Sequence, residues 1–193
     1  IGFSLDHPLG GDVHPECKQA VTQAASLLEE LGHRVKEVPL PYDGELVAQC
    51  YTYMYFAQAA ASIEIMGKWR GRRVRRSEVE ASTWSLASQG QIKKAKDYCL
   101  SLMHWNDISR AMGNFHQEYD LLLTPVIATP PPYIGEMQLS GLEEFGLNLI
   151  NTLHLERLLS LFGTVEKKVF QGFSKMPFTQ AANITGQPAM SVP

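Results

Sequence analysis

The side chains that most often carry chemistry are thinly spread along these 193 residues. The six histidines, His7, His14, His33, His104, His116 and His154, include no i,i+4 pair and no acidic or cysteine neighbour at a metal-holding spacing. They read as loop, cap or helix-surface residues, and no metal is expected. Cys17, Cys50 and Cys99 are odd in number, widely spaced and set in helical apolar contexts. A cysteine nucleophile needs a basic neighbour to make the thiolate, and none is identifiable, so buried, reduced thiols of a cytoplasmic protein are the expectation. No G-x-S-x-G elbow, phosphate-cradling loop or dinucleotide fingerprint occurs, and no organic cofactor is implied. What remains is a pair of strand-like apolar runs that end at prolines, Leu121 to Leu123 before Thr124 and Pro125, and Ala189 to Val192 before Pro193. Loops at the ends of strands are where open α/β sheets place ligands.

The elements around these runs follow from pattern. Leu121 to Leu123 is too short for a helix and fits a strand buried on both faces, stopped by Thr124 and Pro125 and covered by helices. Met176 to Pro193 gives a short helical turn before Gly186 and then Ala189 to Val192, the start of a further strand. Earlier, Ile1 to Leu5 reads as a strand and Asp6 to His14 as a loop. Pro15 opens a helix whose stripe is Cys17, Ala20, Val21, Ala24, Leu27, Leu28 and Leu31, with Gly32 as its stop. Arg34 to Val38 alternates like a half-buried strand, so a right-handed βαβ unit is expected.

Glu45 to Gly67 is a long helix with Val47, Cys50, Tyr51, Met54, Ala57, Ala61 and Ile65 as its apolar side, broadened by Tyr53, Tyr55 and Phe56. Those aromatics could line a pocket, though core or interface packing is the commoner role of such a stripe. Ser77 with Glu80 predicts a capped helix over 78–88, ended by Gly90. Ile92 to Glu118 is a second long helix, with Ala95, Cys99, Leu102, Met103 and Met112 on one side. Leu142, Phe145, Leu149, Ile150, Leu153, Leu158, Leu159 and Phe162 suggest one or two helices apolar most of the way round, buried, at a lid or at a subunit contact, so a homodimer stays open.

Composition bounds the function classes. Hydrophobic residues at 45% and charged ones at 19% describe a globular chain, and a net charge of −3 gives no general attraction to nucleic acid or anionic membrane. The run Lys68 to Arg76 holds six of the seventeen basic residues in nine positions. A solvated loop is the expectation there, with an acidic or nucleic-acid partner as the rival. The most apolar long stretch, Tyr51 to Ile65, carries Gln58 and Glu64, so no membrane span is expected.

Two stretches carry a family resemblance. Tyr119 and Asp120 lead the leucine run into Thr124 and Pro125, and some fifty residues on stand Phe178, Thr179, Asn183, Gly186, Pro188, Ala189, Ser191 and Pro193, spaced F-T-x-x-x-N-x-x-G-x-P-A-x-S-x-P. Together these resemble the amidase signature hydrolases. The final motif, with Thr83 to Ala87 and Asp97-Tyr98, looks most similar to the cyclic-dimer amide (6-aminohexanoate-cyclic-dimer) hydrolase type.

The resemblance implies an α/β fold, specifically the C-terminal half of the amidase signature fold, a mixed sheet covered by helices. Family members cleave amides with a serine activated through a second serine and a lysine, drawn from a Gly- and Ser-rich stretch that does not occur between Ile1 and Pro193. No catalytic residue is therefore assigned here, and the N-terminal catalytic portion of the same protein is the expected partner. The chain has no initiator Met, opens on a strand already under way and closes at Val192-Pro193 inside another. It is expected to be one segment, 1–193, of a longer polypeptide, with an internal seam considered only near 67–77. Thr124, Phe178, Thr179 and Asn183 are the residues expected to wall or contact a small-molecule amide substrate; local backbone bonding by Thr179 and Asn183 is the alternative. A non-catalytic α/β binding or scaffold module derived from an amidase is the rival function.

Overall fold

Glycine at position 2 lets the first strand sit at the centre of the sheet. In the computed structural model, which describes residues 1–136, 138, 140–152 and 164–192, β1 (Gly2–Phe3) pairs in parallel with β2 (Lys36–Glu37) on one side and β3 (Leu122–Leu123) on the other. A Cβ on Gly2 would lie 2.8 Å from the Phe115 ring and 2.9 Å from Val38 Cγ2, closer than side chains approach. The ladder is regular: the N–H groups of Gly2 and Ser4 donate to Leu121 and Leu123, and those of Lys36 and Val38 donate to Ile1 and Phe3. Both pairings are parallel; no antiparallel pair occurs among the described residues.

α1 (Pro15–Glu30) supplies the crossover between β1 and β2, with proline in its first turn and the His14 ring accepting from the Glu16 N–H. The chain leaves α1 through Gly32 at φ 91°, a conformation open mainly to glycine. Of the expected stripe only Val21 is fully buried; Ala25, outside it, is buried as well, and Ala20, Leu27 and Leu31 are exposed. The buried line lies to one side of the leucines.

α2 (Gly44–Arg70) and α4 (Ala95–Phe115) are long helices, as their periodicity requires, and α3 (Ala81–Ile92) lies between them in sequence. α5 is Gly141–Thr152, α6 Thr164–Lys175 and α7 Thr179–Thr185. No helix among the described residues is long and apolar enough to cross a membrane.

The chain divides into two compact units. The first comprises 1–51, 102–131 and 171–193. Its core joins Tyr42 just before α2, Val47 and Cys50 of the α2 start, Ile108 and Met112 of α4, and Ala181 and Ile184 of α7, with Leu122 of β3 packed against them. Full burial of such side chains stabilises by about 1.5–3 kcal/mol each. The second unit comprises 52–101 and 132–170, and residues 67–77 lie within it. Phe56 is fully buried there, and α3 packs on α5.

Several expectations are corrected. Gly90 does not end a helix: α3 runs through it, and a Cβ there would collide with the Phe56 backbone carbonyl. Its role is close helix approach. The capped helix expected from residue 78 begins instead at Ala81, because Glu78 closes a separate 3-10 turn, Arg76–Glu78, by accepting from the Arg75 N–H at 2.7 Å. In α4 the buried line is Ser101, Ile108 and Met112, while Cys99, Leu102 and Met103 are exposed. The thiols are thus not uniformly buried: Cys50 is, Cys17 is half-buried and Cys99 is exposed, and none of the three forms a disulfide.

β3 is half-buried with Leu121 exposed, so the leucine run is covered less than a strand buried on both faces. Residues 189–192 form no strand among the described residues, and Met190 is 86% exposed; an apolar segment becomes a strand only where a ladder partner is offered. In α5, Leu142 and Phe145 are exposed, which excludes burial among the described residues and leaves the lid and subunit-contact readings open. The expected helical positions Leu153, Leu158, Leu159 and Phe162 lie outside the described residues, as does Pro193.

Candidate functional site

Because β1, β2 and β3 are parallel, their carboxyl ends lie on one edge, and the segments that follow β1 and β3 meet there. Ser4, just past β1, is fully buried; its N–H donates to Leu123 and its Oγ accepts from the Asp6 N–H at 3.3 Å. Thr124 follows Leu123 on the neighbouring strand and is half-buried, with Pro125 buried behind it. The loop then folds back to Ala128, which donates to the Lys175 carbonyl at 2.9 Å and accepts from the His14 N–H at 2.7 Å. Ala128, Val13 and Phe178 form a small buried cluster, flanked by Cys17. The sheet edge is therefore tied to the start of α1 and to the segment that leads into α7.

His7 fastens the same place. Its Nδ1 accepts from the Leu9 N–H at 3.0 Å, so Nε2 carries the proton and donates to the Ser174 carbonyl at 2.8 Å. The ring sits 6.4 Å from Phe178, tilted by 59°. His14 caps α1 and His116 bonds the Tyr119 carbonyl through Nδ1 at 2.8 Å. His104 lies 3.4 Å from Asp107 on the surface of α4. These four are loop, cap and helix-surface residues.

The four expected contact residues fall into two sets. Thr124 and Phe178 are both held at the carboxyl edge, Phe178 with its ring only 6% exposed inside the Val13–Ala128 cluster. Thr179 opens α7 and Asn183 stands one turn later on the same face, both exposed. Neither side chain hydrogen-bonds another described residue, so the local backbone bonding offered as the alternative is not formed. Gly186, at φ 70°, ends α7 in the left-handed conformation, with its N–H on the Ala182 carbonyl at 2.9 Å.

Sequence reasoning missed two residues at this edge. One is His7, which no spacing rule marks because its partner Ser174 is 167 positions away. The other is Gln180, buried, whose amide nitrogen donates to Met176 while its Oε1 has no partner among the described residues. Gln180 lines a small crevice with Leu9, Gly44, Val47, Ala48, Phe173 and Pro177.

Neither Cys17 nor the core residue Tyr42 is tuned for attack. Burial, with the Glu16 carboxylate adding to it, pushes the Cys17 thiol above its ordinary value, the wrong direction for a nucleophile. Burial likewise raises the Tyr42 phenol and keeps it protonated. Among the described residues no group of three or more His, Cys, Asp or Glu could hold a metal. Thr124 is half-buried, and the Thr179 and Asn183 polar groups are exposed.

Fold and sequence together define a class. A small parallel sheet among helices, with these two motifs at its carboxyl edge, matches the family described as Amidase over residues 1–193, and the chain belongs to that family. It is 32% identical over 197 residues to the lipoamidase of Enterococcus faecalis, covering all of this chain and 26% of that protein. It is 24% identical over 196 residues to the 6-aminohexanoate-cyclic-dimer hydrolase of Paenarthrobacter ureafaciens, covering all of this chain and 36% of that one. A solved structure of 6-aminohexanoate cyclic dimer hydrolase superposes on 96% of this chain and 36% of its own with a TM-score of 0.69 at 21% identity, a likeness of fold. The chain thus spans roughly a quarter to a third of these relatives' length.

Proposed function

We propose that this chain is the C-terminal, pocket-forming part of an amidase that hydrolyses carboxamide bonds to a carboxylate and an amine or ammonia, with the Ser-Ser-Lys catalytic residues upstream of Ile1. The observation that carries this reading is the match to amidases along all 193 residues. The site chemistry supports the division of labour, since the described edge holds polar contact groups and packed aromatics but a Cys17 thiol shifted away from reactivity. In acyl transfer of this kind an activated hydroxyl attacks the amide carbonyl and N–H donors hold the developing oxyanion. The part of this chain is to orient the acyl group: Thr124 at the sheet edge, Thr179 and Asn183 from the open face of α7, and Phe178 as the packed base beneath. Substrates are small amides, linear or cyclic. Three cysteines without a disulfide support a cytoplasmic setting.

The test is ammonia or amine release from a panel of aliphatic, aryl and cyclic amides, by the 193-residue chain and by the chain extended upstream. Turnover is expected only in the extended form, with Thr179→Val and Asn183→Ala raising KM there. Turnover by the short chain would place the nucleophile among its own residues. An extended form inert on every amide would favour the non-catalytic module.

A further inference from the structure

The basic run Lys68 to Arg76 is not a loose solvated loop. The chain reverses at Gly71, φ 66°, where the Arg72 N–H bonds the Gly67 carbonyl at 3.2 Å, and the Arg72 carbonyl lies 3.2 Å from where a Gly67 Cβ would stand. The segment after α2 is therefore folded back on its last turn. One carboxylate organises it. Glu78 accepts both Arg72 guanidinium nitrogens, at 3.0 and 2.6 Å, and the Arg75 N–H at 2.7 Å, and it pairs with Arg70 at 3.3 Å. Arg76 donates to the Asn148 carbonyl at 2.7 Å, and Lys68 pairs with Glu64 at 3.1 Å.

Two cations are left over. Val74 is buried and anchors the loop; Arg73 and Arg75 flank it and are exposed, and neither guanidinium forms an ion pair with a described residue. Close to them in sequence, in the last turn of α2, Trp69 is 85% exposed. A water-exposed aromatic in the same short segment as two arginines without ion pairs to described residues has the composition of an interface hot spot, in which tryptophan and arginine predominate. The scaffold also lowers the ordering cost that a partner would otherwise face.

We propose that Trp69, Arg73 and Arg75 form a docking surface for an acidic polypeptide segment, one whose carboxylates meet the two arginines and whose apolar side chain covers the indole. Charge complementarity selects the occupant. The six cations gathered in nine positions stand out from a chain that is acidic as a whole, at −3. The patch is one short loop with a single aromatic, too small to track a nucleic-acid backbone or to stack successive bases. The inference stands on this loop alone and is independent of the amide-hydrolysis reading.

The test is a titration of the full chain with a short glutamate-rich peptide carrying a central Leu-Phe pair, read by tryptophan fluorescence and by peptide anisotropy at low and high salt. A lysine-rich counterpart and a single-stranded oligonucleotide serve as competitors. Binding of the acidic peptide that weakens with salt, falls at least tenfold in the Arg73→Glu/Arg75→Glu double variant and falls further in Trp69→Ala is expected. Because these three side chains are exposed, the variants should keep the parent circular dichroism and melting temperature. Affinity weaker than about 1 mM at low salt, binding unchanged in the double variant, tighter binding of the oligonucleotide, or self-association of the chain that the double variant abolishes would each overturn the proposal.

Discussion

Gly90 of α3 rests against the backbone carbonyl of Phe56 in α2, so closely that no side chain fits between them. Phe56 is fully buried, and Lys93 one turn beyond Gly90 places its ammonium 5.1 Å from the Tyr53 ring and 5.9 Å from the Phe56 ring. The neighbour in the way is main chain, so it cannot swing aside. Gly90→Ala is expected to force α2 and α3 apart and to destabilise by about 1–3 kcal/mol, despite alanine's better helix propensity. Gly113→Ala in α4, where nothing lies within 4 Å, is the control and should stabilise by up to about 1 kcal/mol. Urea unfolding of the two variants separates close approach from chain flexibility.

Phe178 and its neighbours in α7 should respond in opposite ways. Truncating a ring buried against Val13 and Ala128 leaves a cavity, and Phe178→Ala is expected to cost about 3–5 kcal/mol. Thr179→Val and Asn183→Ala remove exposed groups with no bonds to described residues and should change the unfolding midpoint little. An equal loss of stability in all three would mean that Thr179 and Asn183 support the fold, and their assignment to a ligand would fall.

Glu78 carries a pH dependence with a definite sign. The Arg72 hydrogen bonds, the Arg75 N–H and the nearby guanidinium charges hold its carboxyl down from an ordinary 4.5 to about 2. A folded value below the unfolded one means that the stabilisation is fully present above pH 4.5 and is lost as pH falls toward 2. The Arg75 amide resonance should therefore titrate near the lower value. In Glu78→Gln that transition should vanish while the Arg73 and Arg75 side chains stay exposed. A midpoint near 4.5 would show that the clamp does not form in solution.

The parts that were legible in the sequence are those decided by near neighbours. Pro15 opens α1 and Gly186 closes α7 because proline's fixed φ and glycine's access to positive φ act within a single turn. The β1–α1–β2 unit follows from the order of short-range patterns, and the two motifs that carry the family resemblance are themselves contiguous. What resisted reading depends on distant partners. Gly90 looks like a break until Phe56 is placed against it, and Glu78 looks like the start of a helix until Arg72 and Arg75 claim its oxygens. At the candidate site, Thr124 and the α7 residues could be named, but only through the family resemblance. His7 and Gln180 could not, since one answers to Ser174 and the other to a crevice built from four separate segments.

The placement of β1 at the middle of the sheet has a consequence for the order of events in time. Its two neighbours are unequally remote: β2 pairs across about 34 positions, but β3 across about 120. During synthesis β1 must wait with one edge open until Leu123 arrives, and on refolding the longer closure is the slower. The two seams report separately, since Lys36 and Val38 N–H groups bond β1 whereas Gly2 and Ser4 N–H groups bond β3. Pulsed amide exchange during refolding should find the first pair protected early and the second pair late; simultaneous protection would show that the three strands assemble in a single step.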